Sequence, residues 1–385
     1  MKKQLFTSEA VSEGHPDKIC DQIADRVLDA CLKQDKNSHV ACEVFATTNY
    51  VLVGGEITSN AKVNYEKIVR DTLKDIGYDK ENKGISYKTC KVDIKIKKQS
   101  REINNAVNKK NNLLNIGAGD QGIMFGYASK ETKNYMPIAI CMANRIMQLA
   151  SLLRKQGKFK HARPDMKAQV TVDYQNNSIN NILISVQHDP NIDMHKFKQY
   201  IKKNILDPTV KEFGFKTKYK CLINPSGSFV LGGPAGDTGL TGRKLACDTY
   251  GGSAHIGGGA MSGKDPSKVD RSAAYYARYI AKNLVAAGVA KRLEIEIAYA
   301  IGVAKPLSIS FLTFKTSKYK DEVIEKIIDK VFDARPGAII KKFSLTKPKF
   351  RYQDVANYGH FGREDLNLPW EVLDKVKEIK RLLHK

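Results

Sequence analysis

No run of about 18 apolar residues occurs in the 385-residue chain, so a membrane-spanning helix is not expected. The first residues, MKKQLFTSEAVSEGHPDK, carry two lysines but no apolar stretch behind them. That lacks the form of a secretory signal, and a cytoplasmic location is expected. The seven cysteines are odd in number, scattered, and free of any C-x-x-C pair. That pattern argues against a disulfide framework and a thiolate zinc site, and for a reducing compartment. There is no G-x-S-x-G elbow and no H-E-x-x-H pair, so neither an activated serine nor a zincin-type metal is expected. One further absence is local. Residues 258–265 satisfy the phosphate-loop template G-x-x-x-x-G-K-[ST] up to its last position, where Asp265 stands in place of the hydroxyl. A true phosphate loop also follows a buried strand, and the upstream GGSAHI does not read as one.

What is abundant is positive charge. A formal net charge of +23 invites a nucleic-acid reading, because Lys and Arg contacts to phosphate dominate such affinity. Lysine here is spread along the whole chain, however, with no recognition helix and no basic strip interleaved with aromatics. No nucleic-acid partner and no membrane partner are expected. A positive field also favours small polyanions.

The length allows two or three domains, and the periodicity favours three. Val40–Thr48 and Val51–Thr58 read as a hairpin. A helix with Tyr65, Ile68, Val69, Thr72, Leu73 and Ile76 on one face follows, then an alternating strand through Val92, Ile94 and Ile96. The order returns as a hairpin over Ala168–Tyr174 and Ile182–His188, a helix through Phe197, Ile201 and Ile205, and a strand over Tyr219–Ile223. It begins again with Leu293–Ile301, Leu307–Phe314 and a helix through Val323, Ile327 and Val331. The expected fold class is α+β: three similar units, each burying one sheet face beneath helices.

Chemistry is concentrated between these units. In TSEAVSEGHPDKICDQIAD, Pro16 suits a first helical position, with Ile19, Ile23, Val27 and Cys31 as the apolar stripe behind it. His15 and Asp17 then sit at a helix N-terminus, either as capping groups or as ligands of an anion and a cation. Glu43 and Glu56 fall within the apolar runs ACEVFA and VGGEIT, as an edge-strand device or as cation ligands. Asp120 lies among Gly117, Gly119 and Gly122, in a plain loop or where backbone approaches a ligand closely. From residue 223 to 270, Asp237, Arg243, Lys244, Lys264, Asp265, Lys268 and Asp270 alternate in sign among many glycines. A core would not accept that much charge, and clustered cations with carboxylates suit a polyphosphate with Mg²⁺.

Three motifs, SEGHPDKICDQIAD, GAGDQG and GGGAMSGKDPSKVDRSAAYYARY, resemble the S-adenosylmethionine synthetase (methionine adenosyltransferase) family in content, order and spacing. The similarity extends from about Leu5 to Pro369 and Trp370. It implies three similar α+β domains, placed at 3–101, 115–230 and 232–371, and an enzyme joining ATP to L-methionine. In that reaction the methionine sulfur attacks C5′ of ATP and expels tripolyphosphate, which is then hydrolysed to pyrophosphate and phosphate.

Position by position, the resemblance implies His15, Lys167, Arg243 and Lys264 as catalytic residues. It places Asp165, Ser228, Phe229, Asp237, Lys244 and Ala260 with them around ATP, Phe229 stacking on adenine. Glu56, Gln99, Asp237 and Lys268 surround methionine, with Asp120 from a partner subunit. Asp17 and Asp270 are the implied Mg²⁺ ligands, two ions per site, and Glu43 belongs to the site of one K⁺. The implied assembly is a homotetramer, a dimer of dimers with active sites between subunits. Ser228, Ile256 and Met261 depart from residues common in the family, as does the SREINNAVNKK segment after Gln99, where the family has a mobile lid.

Overall fold

The computed structural model describes residues 4–80, 84–98, 114 and 116–384. The chain opens with strand β1 (Leu5–Val11), helix α1 (Pro16–Gln34), the hairpin β2 (His39–Thr47) and β3 (Tyr50–Thr58), helix α2 (Tyr65–Ile76) and strand β4 (Lys91–Lys97). Strand, long helix, hairpin, helix and strand then recur as β5 (Gly122–Ser129), α3 (Ile138–Lys155), β6 (Ala162–Asp173), β7 (Ser178–His188), α4 (Met194–Ile201) and β8 (Lys220–Ile223). The third round runs β9 (Gly239–Leu240), α5 (Val269–Ala287), β10 (Arg292–Tyr299), β11 (Ser308–Leu312) and α6 (Asp321–Val331). Helix α7 (Pro336–Phe343) follows α6 where a closing strand would complete the pattern.

All three hairpins expected from the sequence are present, and so are the helices after them. In the first two units the last strand lies parallel to the second hairpin strand, with Tyr50 opposite Lys91 and Asn181 opposite Lys220. A parallel neighbour needs a crossover, and α2 and the helical segment beginning with α4 supply it. In that second segment Phe197, Ile201 and Ile205 are buried as their spacing required. The helix widens to a π-type turn over residues 202–206. Pro208, without an N–H, stands two residues beyond it.

Periodicity did not reveal where the first strand of each round goes. The sheets are ordered β4-β3-β2-β9, β1-β6-β7-β8 and β11-β10-β5. Thus β1 joins the second hairpin, β5 the third and β9 the first, each antiparallel to its host. A segment cut at 3–101, 115–230 or 232–371 would carry one strand belonging to another unit's sheet. Such strands are poorly visible in sequence: β9 has two residues, and β1, LFTSEAV, shows no apolar–polar alternation.

The long helices bury the sheet faces. On α1, Ile19, Ile23, Val27 and Cys31 have no exposure. Helix α5 presses so closely on β5 that a Cβ at Gly126 would lie 2.0 Å from the Ala277 carbonyl carbon, so glycine is required there. Among the described residues no helix is long and apolar enough to cross a membrane.

Candidate active site

Helix α1 starts as the sequence indicates, with Pro16 in its first turn and His15 as N-cap. The Asp17 amide donates to His15 Nδ1 at 3.2 Å. The capping and chemical readings of His15 therefore coexist. Because Nδ1 accepts, the proton of the neutral ring lies on Nε2, and Nε2 is buried with no hydrogen-bond partner. Burial, then the charges of Lys244 and Lys167, lower the His15 pKa to about 3. His15 is a neutral donor, which the unperturbed value near 6.5 left undecided.

Asp17 is fully buried and is held by β9 and the loop after it. The Leu240 amide donates to Oδ1 at 3.0 Å, Lys244 Nζ reaches Oδ2 at 2.6 Å, and Arg243 Nε stands 3.6 Å away. Lys244 hydrogen bonding and the Leu240 amide hold its carboxyl below the usual range, although burial opposes them. Asp165 and Lys167 come from β6, which pairs with β1 so that Lys167 lies opposite Val11. Asp165 Oδ2 accepts the Gly233 amide at 2.9 Å, Oδ1 has no partner, and burial raises its carboxyl to about 6. Lys167, Asp237 and Asp17 all act on Asp165 electrostatically, so these residues form one neighbourhood.

Phe229 shares the wall near Gly233. Its amide donates to His188 Nε2 at 3.0 Å and its carbonyl accepts from the His188 amide at 2.9 Å. A Cβ on Gly232 would lie 2.9 Å from the ring. Ser228 and Asp237 are exposed.

The 257–270 loop supplies a second cluster, and the residue that spoiled the phosphate-loop match proves structural. Asp265 is buried. Its Oδ2 accepts the Val40 amide at 2.7 Å and Lys268 Nζ at 2.8 Å, and its Oδ1 accepts the Ser267 amide at 2.9 Å. Residues 251–256 form no strand. Asp265 thus pins the loop to β2, leaving Lys264 to reach Asp270 Oδ2 at 2.5 Å. The clusters meet where Gly242 abuts Ala260: a Cβ on Gly242 would lie 2.3 Å from that of Ala260.

Glu43 and Glu56 share the sheet face turned away from α1, since Ala41 pairs with Glu56 and Glu43 with Gly54. Both are exposed, which rules out an inward-facing edge device. Partial desolvation pushes the Glu43 carboxyl up, aided by Asp21 and Glu56 and opposed by Lys264. Two carboxylates on one face beside a lysine form an arrangement that a monovalent cation would relieve.

The Asp120 segment lies against the same chain's 257–270 loop, the Gly119 amide donating to the Ser267 carbonyl at 3.1 Å. Asp120 Oδ1 accepts the Gln121 amide. Gln99 lies outside the described residues.

Sequence reasoning overlooked the other face of α1. Asp17, Asp21, Asp25 and Asp29 recur every four residues, opposite the isoleucine stripe, and each accepts one or more backbone amides from between residues 240 and 353. Asp21 takes the Gly242 amide, Asp25 that of Gly263, and Asp29 those of Tyr352 and Gln353. Lys18 sits buried between Asp21 and Asp248. The D-x-x-x-D spacing was legible, but four acids on a helix ordinarily signify a solvated face.

A site of this kind, rich in cations and carboxylates, fits a family match that covers the chain in three pieces. The model of the S-adenosylmethionine synthetase N-terminal domain matches residues 3–101, that of the central domain residues 115–229 and that of the C-terminal domain residues 231–372. A protein of Mycoplasma mycoides subsp. mycoides named S-adenosylmethionine synthase is 56% identical over 383 residues, covering 99% of this chain and 97% of that one. Proteins of the same name from Clostridium botulinum and Finegoldia magna are 50% and 48% identical over 392 and 394 residues, each covered over its full length. With three domain models end to end along it, and about half its residues shared with full-length relatives, the chain belongs to the S-adenosylmethionine synthetase family.

Proposed function

We propose that the protein forms S-adenosylmethionine from ATP and L-methionine and then hydrolyses the bound tripolyphosphate to pyrophosphate and phosphate. The observation that carries this reading is the neutral His15 ring, its buried Nε2–H unpartnered beside Lys244, Lys167 and Asp17. A thioether sulfur has no proton to lose when it attacks C5′, so the chain need not supply a general base for that step. The obstacle is charge gathering on the departing tripolyphosphate. His15 donates to an oxygen near the breaking C5′–O bond, while Lys167, Arg243, Lys244 and Lys264 neutralise the rest. Donors fixed beforehand in a dry site contribute most to such a step, and in-line placement of the sulfur comes next.

The acids play a double part. Lys244 rests on Asp17 and Lys264 on Asp270, so each lysine has a carboxylate partner until a polyphosphate draws it away. Among the described residues no three His, Cys, Asp or Glu side chains converge on a common metal position. Separate carboxylates beside a polyphosphate site suit Mg²⁺, which is commonly held by one or two carboxylates plus substrate phosphates. Asp17 and Asp270 would hold two such ions, and Glu43 one K⁺. When bound, Mg²⁺ supplies charge stabilisation on the phosphate oxygens.

Asp165, Ser228, Phe229, Asp237 and Ala260 line the ATP side, with Phe229 against adenine. Glu56, Gln99, Asp237 and Lys268 surround methionine, and a second copy contributes Asp120. The assembly is a homotetramer of two dimers in the cytoplasm.

Incubation with ATP, methionine, Mg²⁺ and K⁺ should give sulfonium product, pyrophosphate and phosphate in equal amounts. Methionine-independent release of γ-phosphate, without sulfonium, would reject the assignment. Mixing inactive His15→Asn and Asp120→Asn subunits should restore activity in hybrids. If no activity returns, Asp120 is not supplied by the partner.

A further inference from the structure

We infer that Asp25 and Arg271, which the proposed chemistry does not touch, form a positioning pair that aims Lys264 at the tripolyphosphate. The inference rests on the function proposed above. The pair is fully buried, 0% exposed on both side chains, and joins two elements distant in sequence. Asp25 lies on α1, two turns beyond Asp17. Arg271 lies on α5, next to Asp270.

Between them they grip the loop from both sides. Arg271 Nε donates to the Met261 carbonyl at 2.5 Å, and Asp25 Oδ1 accepts the Gly263 amide at 2.9 Å. The same Asp25 oxygen accepts Arg271 Nη2 at 2.5 Å, closing the clamp. Lys264 is the next residue in the chain. Its backbone is bridged to Ala41, and Gly263 exchanges with β2 through its carbonyl and the Cys42 amide at 2.9 Å. Only the Lys264 side chain is left to move, and it points to Asp270.

A third anchor limits where the clamp can go. The Arg271 guanidinium lies 4.6 Å from the centroid of the Tyr352 ring, and the Tyr352 amide is held by Asp29. The arginine therefore cannot shift toward the C-terminal segment when substrate binds. A buried ion pair is weak evidence for stability as such, and well-packed apolar residues often replace one without loss. What apolar residues could not replace is the two-sided hold on the Met261 carbonyl and the Gly263 amide. A planar, forked cation opposite a carboxylate suits that geometry, whereas a lysine would offer a point charge.

The experiment uses the full-length protein and compares wild type with Asp25→Asn, Arg271→Lys, Lys264→Ala and the Asp25→Asn/Lys264→Ala double variant. The Asp25→Asn change keeps an acceptor for the Gly263 amide while removing the charge facing Arg271. The Arg271→Lys change keeps the charge while losing the fork. The readouts are the affinity for inorganic tripolyphosphate with Mg²⁺, by calorimetry, and KM for ATP and for methionine.

Each single variant of the pair should weaken tripolyphosphate and raise the ATP KM about tenfold, leaving the methionine KM within about twofold. In the Lys264→Ala background, Asp25→Asn should add no further loss, because it acts through that lysine. Additive losses, or unchanged tripolyphosphate affinity in a folded variant, would show that the pair only holds the fold. Should Asp25→Asn prove insoluble, Arg271→Lys gives the same decision. A wild-type protein that binds tripolyphosphate but makes no sulfonium would instead refute the proposed function and leave the clamp standing.

Discussion

Replacing His15 separates its two duties, because each ring nitrogen has one of them. Nδ1 caps α1 by accepting the Asp17 amide at 3.2 Å, and Nε2 is a buried donor without a partner. Asparagine is a good N-cap, so His15→Asn keeps the first duty, and its shorter side chain takes the donor away from the Nε2 position. Loss of a cap to alanine costs about 1 kcal/mol of stability. Loss of one prearranged donor at a developing negative charge costs roughly 10²–10³-fold in kcat, or about 3–4 kcal/mol. His15→Asn should therefore unfold near the wild-type denaturant midpoint and form sulfonium roughly 10²–10³-fold more slowly by single-turnover quench. His15→Ala should show the same slow chemistry together with the additional loss of about 1 kcal/mol. The donor role is wrong if His15→Asn turns over within about threefold of wild type. The cap role is wrong if His15→Asn loses as much stability as His15→Ala.

Gly263 has φ +79°, and a Cβ there would lie 2.0 Å from the Cys42 carbonyl oxygen. Gly263→Ala should cost more than the roughly 1–2 kcal/mol of a left-handed alanine and lower kcat/KM for ATP. Unchanged melting and kinetics would contradict the described seating of the loop on β2. Glu43→Gln should abolish stimulation by K⁺, giving equal rates in K⁺ and in tetramethylammonium chloride, and retained stimulation would remove Glu43 from the cation site. Buried His360, hydrogen-bonded to Tyr275, has its pKa pushed well below 6.5 by burial and then by Arg271 and Lys18. The unfolded chain alone binds that proton below pH 6.5, so this group makes stability fall as pH falls. Subtracting the stability profile of His360→Gln from that of wild type should leave a slope of about 1.4 kcal/mol per pH unit below pH 6. A flat difference would mean that His360 protonates inside the fold.

Much of the scaffold was legible because its determinants are local. Val92, Ile94, Ile96 and Ile295 alternate with polar neighbours, and a period of two admits few alternatives to a strand. Pro16 and the four-residue stripe behind it marked α1 for the same reason. Site residues such as His15, Lys264 and Asp270 stood out because glycine and charge coincide there, although their grouping came from resemblance rather than spacing.

Charge state and partner choice were not local. Whether His15 is neutral depends on Lys244 and Lys167, which lie 229 and 152 residues away in the chain. Asp265, which stands where a phosphate loop has its hydroxyl, is a pin for Val40 and Lys268. The acids of α1 drew no reading beyond Asp17, and burial makes them acceptors for amides between residues 240 and 353. The exchange of β1, β5 and β9 was hidden because a strand's hydrogen bonds carry no signature of their partner. The sequence by itself determined the three hairpins and the helices after them, that the pattern repeats, and which residue types gather near phosphate-binding chemistry. The tertiary structure alone decided which carboxylate faces which cation and which proton each ring carries, because desolvation and Coulomb interactions depend on distance in space rather than along the chain.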